Sequence, residues 1–416
     1  MKFSMFGDKV SQKSGINILM DDLGQAMSVN RDMLMLGGGN PAHIPAVEKI
    51  FRDSMMSVME TGHTFEECVG NYDPPQGNPL YIEELASLFR RMYGWEISAS
   101  NIALTNGSQS AFFLLFNMFS GRFSDGSFKK ILLPLTPEYI GYSDAGLSSE
   151  PIFTSIKPEI NILDDNLFKY SIDFDHLVVD DNIGAICVSR PTNPTGNVVS
   201  DAEIDKLLAL SRKHGIPLII DNAYGTPFPN IIFTDAKPYW DEGVIMCMSL
   251  SKLGLPGVRT GIIIASEEII SAVNQMNAVI NLAPGSLGAT LTEKIVRSGE
   301  IIDISSDIIM PYYQGKAEKA VSLFREHLKG LDFHIHKPEG AIFLWLWFRD
   351  IKIDSDTLYE RLKKRGVLVV PGHYFFPGLK DEWQHRDECI RVNYSQGDET
   401  VSRGIEIIAE EVRKAY

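Results

Sequence analysis

Ser249-Leu250-Ser251-Lys252-Leu253-Gly254-Leu255-Pro256-Gly257-Val258-Arg259-Thr260-Gly261 sets one lysine among hydroxyls and glycines, with an arginine seven residues on. The stretch follows Gly243-Val244-Ile245-Met246-Cys247-Met248, a short apolar run that reads as a buried strand. Lys252 is therefore expected on a narrow loop at a strand end, where α/β enzymes gather their chemistry. A lone lysine is most often a solvated surface residue, so its neighbours in the fold have to decide.

Outward from that loop, apolar runs and helical patterns alternate. Gly184-Ala185-Ile186-Cys187-Val188-Ser189 predicts a second buried strand, and Arg190-Pro191-Thr192-Asn193-Pro194-Thr195-Gly196-Asn197 after it brackets Asn193 with two prolines. Such a turn can be purely structural, or it can hold the Asn193 amide ready for a ligand. A helix over residues 201–214 leads to the strand Pro217-Leu218-Ile219-Ile220 and then Asp221-Asn222-Ala223-Tyr224-Gly225. Strand, helix, strand is the rhythm of a mostly parallel sheet covered on both faces. A carboxylate at Asp221's depth costs on the order of 3 to 5 kcal/mol if unpaired, so it calls for a cationic or N–H partner.

Earlier in the chain, Ile102-Ala103-Leu104-Thr105 reads as a strand. The turn Asn106-Gly107-Ser108-Gln109-Ser110 then opens a buried helix starting near Ser108. A helix start is a ready anion site, although a plain serine cap reads the same way. After the strand Lys130-Ile131-Leu132-Leu133-Pro134, Pro137-Glu138-Tyr139 places an aromatic ring at a strand end, to stack on a planar ligand or merely to pack. Gly37-Gly38-Gly39 demands either a tight turn or close backbone approach, or is a plain linker. Helices are expected over residues 46–60, 80–93 and 313–328 and after Asp398, with strands about Ile342–Trp347 and Val367–Val370. Arg391 sits in a strand-like alternation, offering a two-pronged hold on a carboxylate unless it only solvates an edge. Residues 151–180 resist parsing beyond short strand candidates at Ile152-Phe153 and Ile160–Ile162.

The chain's 416 residues suggest two domains, and 44% hydrophobic with 22% charged residues is globular. A net charge of −15 disfavours nucleic acid. Four separated cysteines fit reduced core thiols better than disulfides or a metal site. No signal-peptide core or membrane-spanning run is evident, so the expected compartment is the cytoplasm.

Together the strand ends supply an amine, a buried carboxylate, a fixed amide, phenols and an anion cradle. That kit suits a phosphorylated pyridine aldehyde: lysine forms the imine, aspartate pairs with the ring nitrogen, amide and phenol bond the ring oxygen, and phosphate meets the Ser, Arg and helix-start groups. Dinucleotide and nucleotide fingerprints are absent, and no metal site is expected. The joined Asn-Pro-x-Gly (Asn193 to Gly196), Asp-x-x-Tyr (Asp221 to Tyr224) and Ser-x-Ser-Lys (Ser249 to Lys252) elements resemble fold-type I, pyridoxal-phosphate-dependent aminotransferases of class I/II over essentially the full length.

The resemblance implies a mostly parallel seven-stranded sheet in a large domain with a smaller α+β domain. It implies an N-terminal segment, residues 1–45, packing with the small domain and active site; a large cofactor domain over 46–305; and a small domain over 306–416. Pyridoxal 5′-phosphate is the implied cofactor and Lys252, Asp221 and Tyr224 the implied catalytic residues. The implied cofactor set is Gly107, Ser108, Gln109, Tyr139, Asn193, Asp221, Tyr224, Ser249, Ser251, Lys252 and Arg259, with Tyr72 reaching in from a second subunit of a homodimer. Gly38, Gly39, Asn193 and Arg391 would hold the substrate. Longer strings, among them Leu36 to Pro41 and Lys337 to Trp347, point to members that exchange an amino group between L-valine and pyruvate. Another donor pair, a lyase, or a non-catalytic ligand-binding domain are the alternatives. Family members commonly place the phosphate arginine eight residues after the lysine, so the seven-residue spacing puts the reach of Arg259 in doubt.

Overall fold

The computed structural model describes residues 2–11, 22, 24 and 32–416. Of the segment 1–45, residues 1, 12–21, 23 and 25–31 lie outside the described residues. The central sheet runs in the order Ile102–Thr105, Gly261–Ile264, Val244–Ser249, Leu218–Asp221, Ile183–Ser189, Phe128–Leu133, Gly121–Arg122, with Phe153–Ser155 also paired to Phe128–Leu133. It thus has eight strands where seven are expected, the extra one being the two-residue Gly121–Arg122. Val244–Ser249, Leu218–Asp221, Ile183–Ser189, Phe128–Leu133 and Phe153–Ser155 pair in parallel, and Gly261–Ile264 lies antiparallel between its two neighbours.

The register explains why residues far apart in sequence meet. Asp221 is opposite both Ser189 and Cys247, Ser249 is opposite Gly261, and Gly261 is opposite Thr105. The loops carrying Asn193, Asp221, Lys252 and Ser108 therefore leave one edge of the sheet together. The strands Ile183–Ser189, Val244–Ser249 and Gly261–Ile264 are buried at every position, which is why their runs are continuously apolar rather than alternating. The helices Ser108–Phe119, Asp201–His214 and Glu267–Asn281 follow, and a capping box between Ser200 and Glu203 fixes the start of the second.

A second sheet of six strands runs Val370–Pro371, Cys389–Asn393, Phe343–Phe348, Phe333–His336, Leu167–Ser171, Glu159–Ile162. Its last two strands come from the stretch that resists sequence reading. They form a hairpin that leaves the central sheet after Phe153–Ser155 and pairs with C-terminal strands, Ile335 opposite Leu167. The polar pattern of Glu159–Ile162 follows from its exposed edge position. Between the two sheets, Glu300–Asp303, a π-helical turn over Ile304–Ile309 and Met310–His327 form one run of helix. Such a widened turn is a feature frequent at functional sites.

Candidate active site

A cavity of about 340 Å³ opens at the edge where the strand ends converge. Ser108, Gln109, Tyr139, Asn193, Asp221, Tyr224, Ser249, Ser251, Lys252, Arg259 and Arg391 all line it, joined by Gly37, Gly39 and Asn40. Gly38, Gly107 and Tyr72 are not among the lining residues. The Gly38 carbonyl accepts the Asn393 amide at 2.6 Å, and Tyr72 is 84% exposed in its loop.

Asp221 ends its strand facing the cavity, yet no cation holds it. The Tyr142 hydroxyl donates to its Oδ2 at 2.6 Å and the Ala223 N–H to its Oδ1 at 3.0 Å. Burial raises its pKa; the Tyr142 and Ala223 hydrogen bonds and the charge of Lys252 oppose that rise. The partner demanded by the buried carboxylate is thus a phenol and a backbone amide. Tyr142 is a functional residue that sequence reasoning misses, although it stands three residues after Tyr139.

Lys252 Nζ lies 5.2 Å from the centre of the Tyr224 ring and donates to the Gly39 carbonyl. Burial first, then the charges of Arg391 and Arg259, draw its pKa down to about 8, with Asp221 opposing. An amine so placed reaches its neutral, nucleophilic form near neutral pH at modest cost.

Arg391 is buried in Cys389–Asn393, paired on both sides, rather than solvated at an edge. Its Nη1 donates to Asn193 Oδ1 at 2.8 Å and its Nη2 to the Gly37 carbonyl at 2.6 Å, while Nε has no partner. The guanidinium carbon sits 4.2 Å from the Phe343 ring centre and 5.2 Å from that of Phe375. The aromatic run beginning at Phe343 therefore touches the site at its first residue. Burial lowers the Arg391 pKa to about 10. Because Arg391 takes the Asn193 carbonyl oxygen, the amide NH₂ is what Asn193 has left to donate.

Four contacts explain the segment as close approach, tightest at Gly37, rather than a turn. A Cβ on Gly37 would lie 2.9 Å from the Val369 carbonyl oxygen, Gly37 and Gly38 carbonyls are held by Arg391 and Asn393, and Ser395 Oγ donates to Asn40 O at 2.8 Å. The segment is strapped to the strand that carries Arg391.

The opposite wall is an anion cradle. The Ser108–Phe119 helix begins after Gly107 without a side-chain cap, leaving its first N–H groups unclaimed by a side chain. Gly107 has φ 85°, and a Cβ there would fall 2.1 Å from Arg259 Nη2. The guanidinium thus lies against the helix start. Arg259 gets there from seven residues away because Pro256–Val258 forms a 3-10 turn and Arg259 itself takes φ 51°. Its contacts to Ser251 Oγ and Pro256 O are 3.4 Å, at the weak limit, so the cation is largely unspent.

Cradle, amine, amide donor and carboxylate together fit a phosphorylated pyridine aldehyde. Ser108, Ser249, Ser251 and Arg259 suit its phosphate, Lys252 its aldehyde, Asn193 and Tyr224 its ring oxygen, and Asp221 its ring nitrogen.

Comparison with known proteins agrees in kind. Residues 55–408 match the family Aminotransferase class I and II. The chain is 50% identical over 416 residues to the valine–pyruvate aminotransferase of Escherichia coli K12, covering 100% of this chain and 99% of that protein. The crystal structure of the valine–pyruvate aminotransferase of Salmonella typhimurium LT2 superimposes with a TM-score of 0.89 at 48% identity, covering 96% of this chain and 99% of that one. A solved chain from Psychrobacter arcticum 273-4 superimposes with a TM-score of 0.97 at 48% identity, covering 100% and 99%.

Proposed function

The chain belongs to the class I and II aminotransferase family, and on that premise we propose that it moves an amino group between L-valine and pyruvate, giving 3-methyl-2-oxobutanoate and L-alanine. The full-length similarity to the valine–pyruvate enzyme of E. coli carries this choice of pair. The cavity supports it: of this chain's described residues, Arg259 and Arg391 are the arginines that line it. The first belongs to the helix-start cradle that faces the phosphate, so Arg391 is left for one carboxylate, as a monocarboxylic amino acid requires.

Pyridoxal 5′-phosphate supplies the carrier aldehyde and an electron-withdrawing ring. The chain's own residues do the rest. Arg391 fixes the substrate carboxylate, with the Asn193 amide and the backbone near Gly38 and Gly39 beside it, so the Cα–H is presented to Lys252 Nζ. Lys252 Nζ would take that proton, and the burial and neighbouring cations that draw it down to about 8 in the cofactor-free protein suit it to the task. Asp221 would hold a positive charge at the ring nitrogen, Tyr139 would cover the ring and keep water out, and Tyr224 and Asn193 would donate to the ring oxygen. Gly107 and Gln109 complete the phosphate wall.

Tyr72 acts in a homodimer, reaching the neighbouring subunit's cavity. Its exposure supports this, as do the exposed apolar side chains of Met56, Met59, Leu282 and Leu287. Residues 1–45, 46–305 and 306–416 form the N-terminal segment, cofactor domain and small domain, with the 159–171 hairpin crossing to the small domain's sheet. The enzyme works in the cytoplasm. Among the described residues no helix is long and apolar enough to cross a membrane.

The test is transfer of label: holoenzyme given ¹⁵N-valine and pyruvate should yield ¹⁵N-alanine. Label released as ammonia, with no need of pyruvate, would point to a lyase instead.

A further inference from the structure

Asp221 is joined to a second acid that the scheme above does not use. Glu138 is 0% exposed. Its Oε1 accepts the Ser189 N–H at 2.8 Å; its Oε2 accepts the Tyr139 N–H at 3.3 Å and lies 2.5 Å from Ser189 Oγ. Ser189 Oγ in turn lies 3.4 Å from the Tyr142 hydroxyl, which donates to Asp221 Oδ2. Ser189 and Tyr142 are 1% and 0% exposed, so bulk solvent does not reach the row.

Counting protons leaves two arrangements. With Glu138 ionised, the Ser189 proton turns to it across 2.5 Å, Tyr142 receives no donor, and two carboxylates share one dry region. With Glu138 protonated, Glu138 donates to Ser189, Ser189 to Tyr142 and Tyr142 to Asp221, so all protons point one way and Asp221 alone is charged. The second arrangement avoids the like-charge penalty.

We propose that Glu138 is a positioning residue that carries this proton, and that the row Glu138–Ser189–Tyr142 presents Asp221 as the single carboxylate facing the bound cofactor. The inference rests on Asp221 being the partner of the cofactor's ring nitrogen. Burial pushes Glu138 up to about 8; its Ser189 bonds oppose this and the Asp221 charge adds to it. Burial likewise keeps the phenols of Tyr142, Tyr139 and Tyr224 and the thiols of Cys187 and Cys247 neutral, and the facing cations are Lys252, Arg391 and Arg259. As pH rises through about 8, Glu138 ionises, the row reverses at Ser189 and a second negative charge appears beside Asp221.

The experiment records the visible absorption of the bound cofactor in holoenzyme from about pH 6 to about pH 10, a window chosen to span that titration. Wild type should show a transition within that window. Glu138→Gln, which keeps a neutral N–H donor toward Ser189, should move its midpoint by about one pH unit or more. Ser189→Ala, which removes the middle link and leaves the acid, should move it by about one pH unit or more. Either variant superimposing on wild type overturns the proposal, and Ser189→Ala alone decides if Glu138→Gln does not fold. Asp221→Asn serves as the separate control. If it changes neither the spectrum nor cofactor retention, the placement of the ring nitrogen fails; if it changes both while the other two variants are silent, only the row fails.

Discussion

Replacing Arg391 with lysine keeps a positive charge and removes the fork, which makes it a sharp test of how the substrate is held. Two of the guanidinium's five N–H groups are spent inward, on Asn193 Oδ1 at 2.8 Å and on Gly37 O at 2.6 Å. The outer N–H of each Nη remains for a carboxylate. A lysine has three N–H groups on one nitrogen and cannot serve both inner acceptors and a two-pronged carboxylate at once. Losing one charge-assisted hydrogen bond costs about 1.5–3 kcal/mol, which is roughly 10- to 150-fold in kcat/KM. The same burial that lowers Arg391 to about 10 acts on a lysine that starts lower, so the deficit should deepen as pH rises. The assay is kcat/KM of Arg391→Lys holoenzyme for valine and for pyruvate at two pH values, with the cofactor's absorption as the check that its own site is intact. Both substrates carry the carboxylate, so both should lose together. A variant within about threefold of wild type for either would refute the assignment, since less than about 0.7 kcal/mol cannot be a lost charged hydrogen bond.

Gly107→Ala should weaken cofactor retention by about tenfold or more, because the added Cβ falls 2.1 Å from Arg259 Nη2 and the backbone has φ 85°; equilibrium dialysis of the variant checks it. In the cofactor-free protein Lys252 is depressed to about 8 from its ordinary 10.5, so the folded state binds fewer protons than the unfolded chain between those values. Wild type should therefore gain up to about 3 kcal/mol relative to Lys252→Met as pH rises from about 8 to about 10.5 and lose it again on the way down; paired denaturant melts across that range measure it. Mixing Tyr72→Ala with Lys252→Ala subunits should restore about a quarter of wild-type activity, since half of randomly assorted dimers are hybrids and each hybrid has one intact site; no recovery would mean Tyr72 does not cross between subunits.

The parts of this architecture legible in the sequence are those decided locally. Ile183–Ser189 and Val244–Ser249 announce themselves as strands because both faces are buried and every residue before the closing serine is apolar. The helix beginning at Ser108 and the loop carrying Lys252 follow from glycine and serine punctuation. What the sequence hides is decided by pairing across distance. Ile160–Ile162 shows only as a short strand candidate and Leu167–Ser171 not at all, because the latter pairs with a strand more than 150 residues later, Phe333–His336, and the former lies exposed at the edge beyond it. The same holds in the site. Lys252, Asp221, Asn193 and Arg391 carry recognisable chemistry in recognisable settings, whereas Tyr142 and Glu138 matter only through a strand register that places Ser189 opposite Asp221. The seven-residue reach of Arg259 is explained only by its left-handed backbone and the turn before it, neither of which the spacing shows.

The most direct test adds one substrate at a time to holoenzyme and follows the visible absorption of the bound cofactor. Valine alone should bleach the band in proportion to active sites, and pyruvate added after removal of the first product should restore it, with Lys252→Ala failing to complete either change at the wild-type rate. A band that valine leaves untouched, or that recovers without any oxo acid while ammonia accumulates, would contradict transamination at this site.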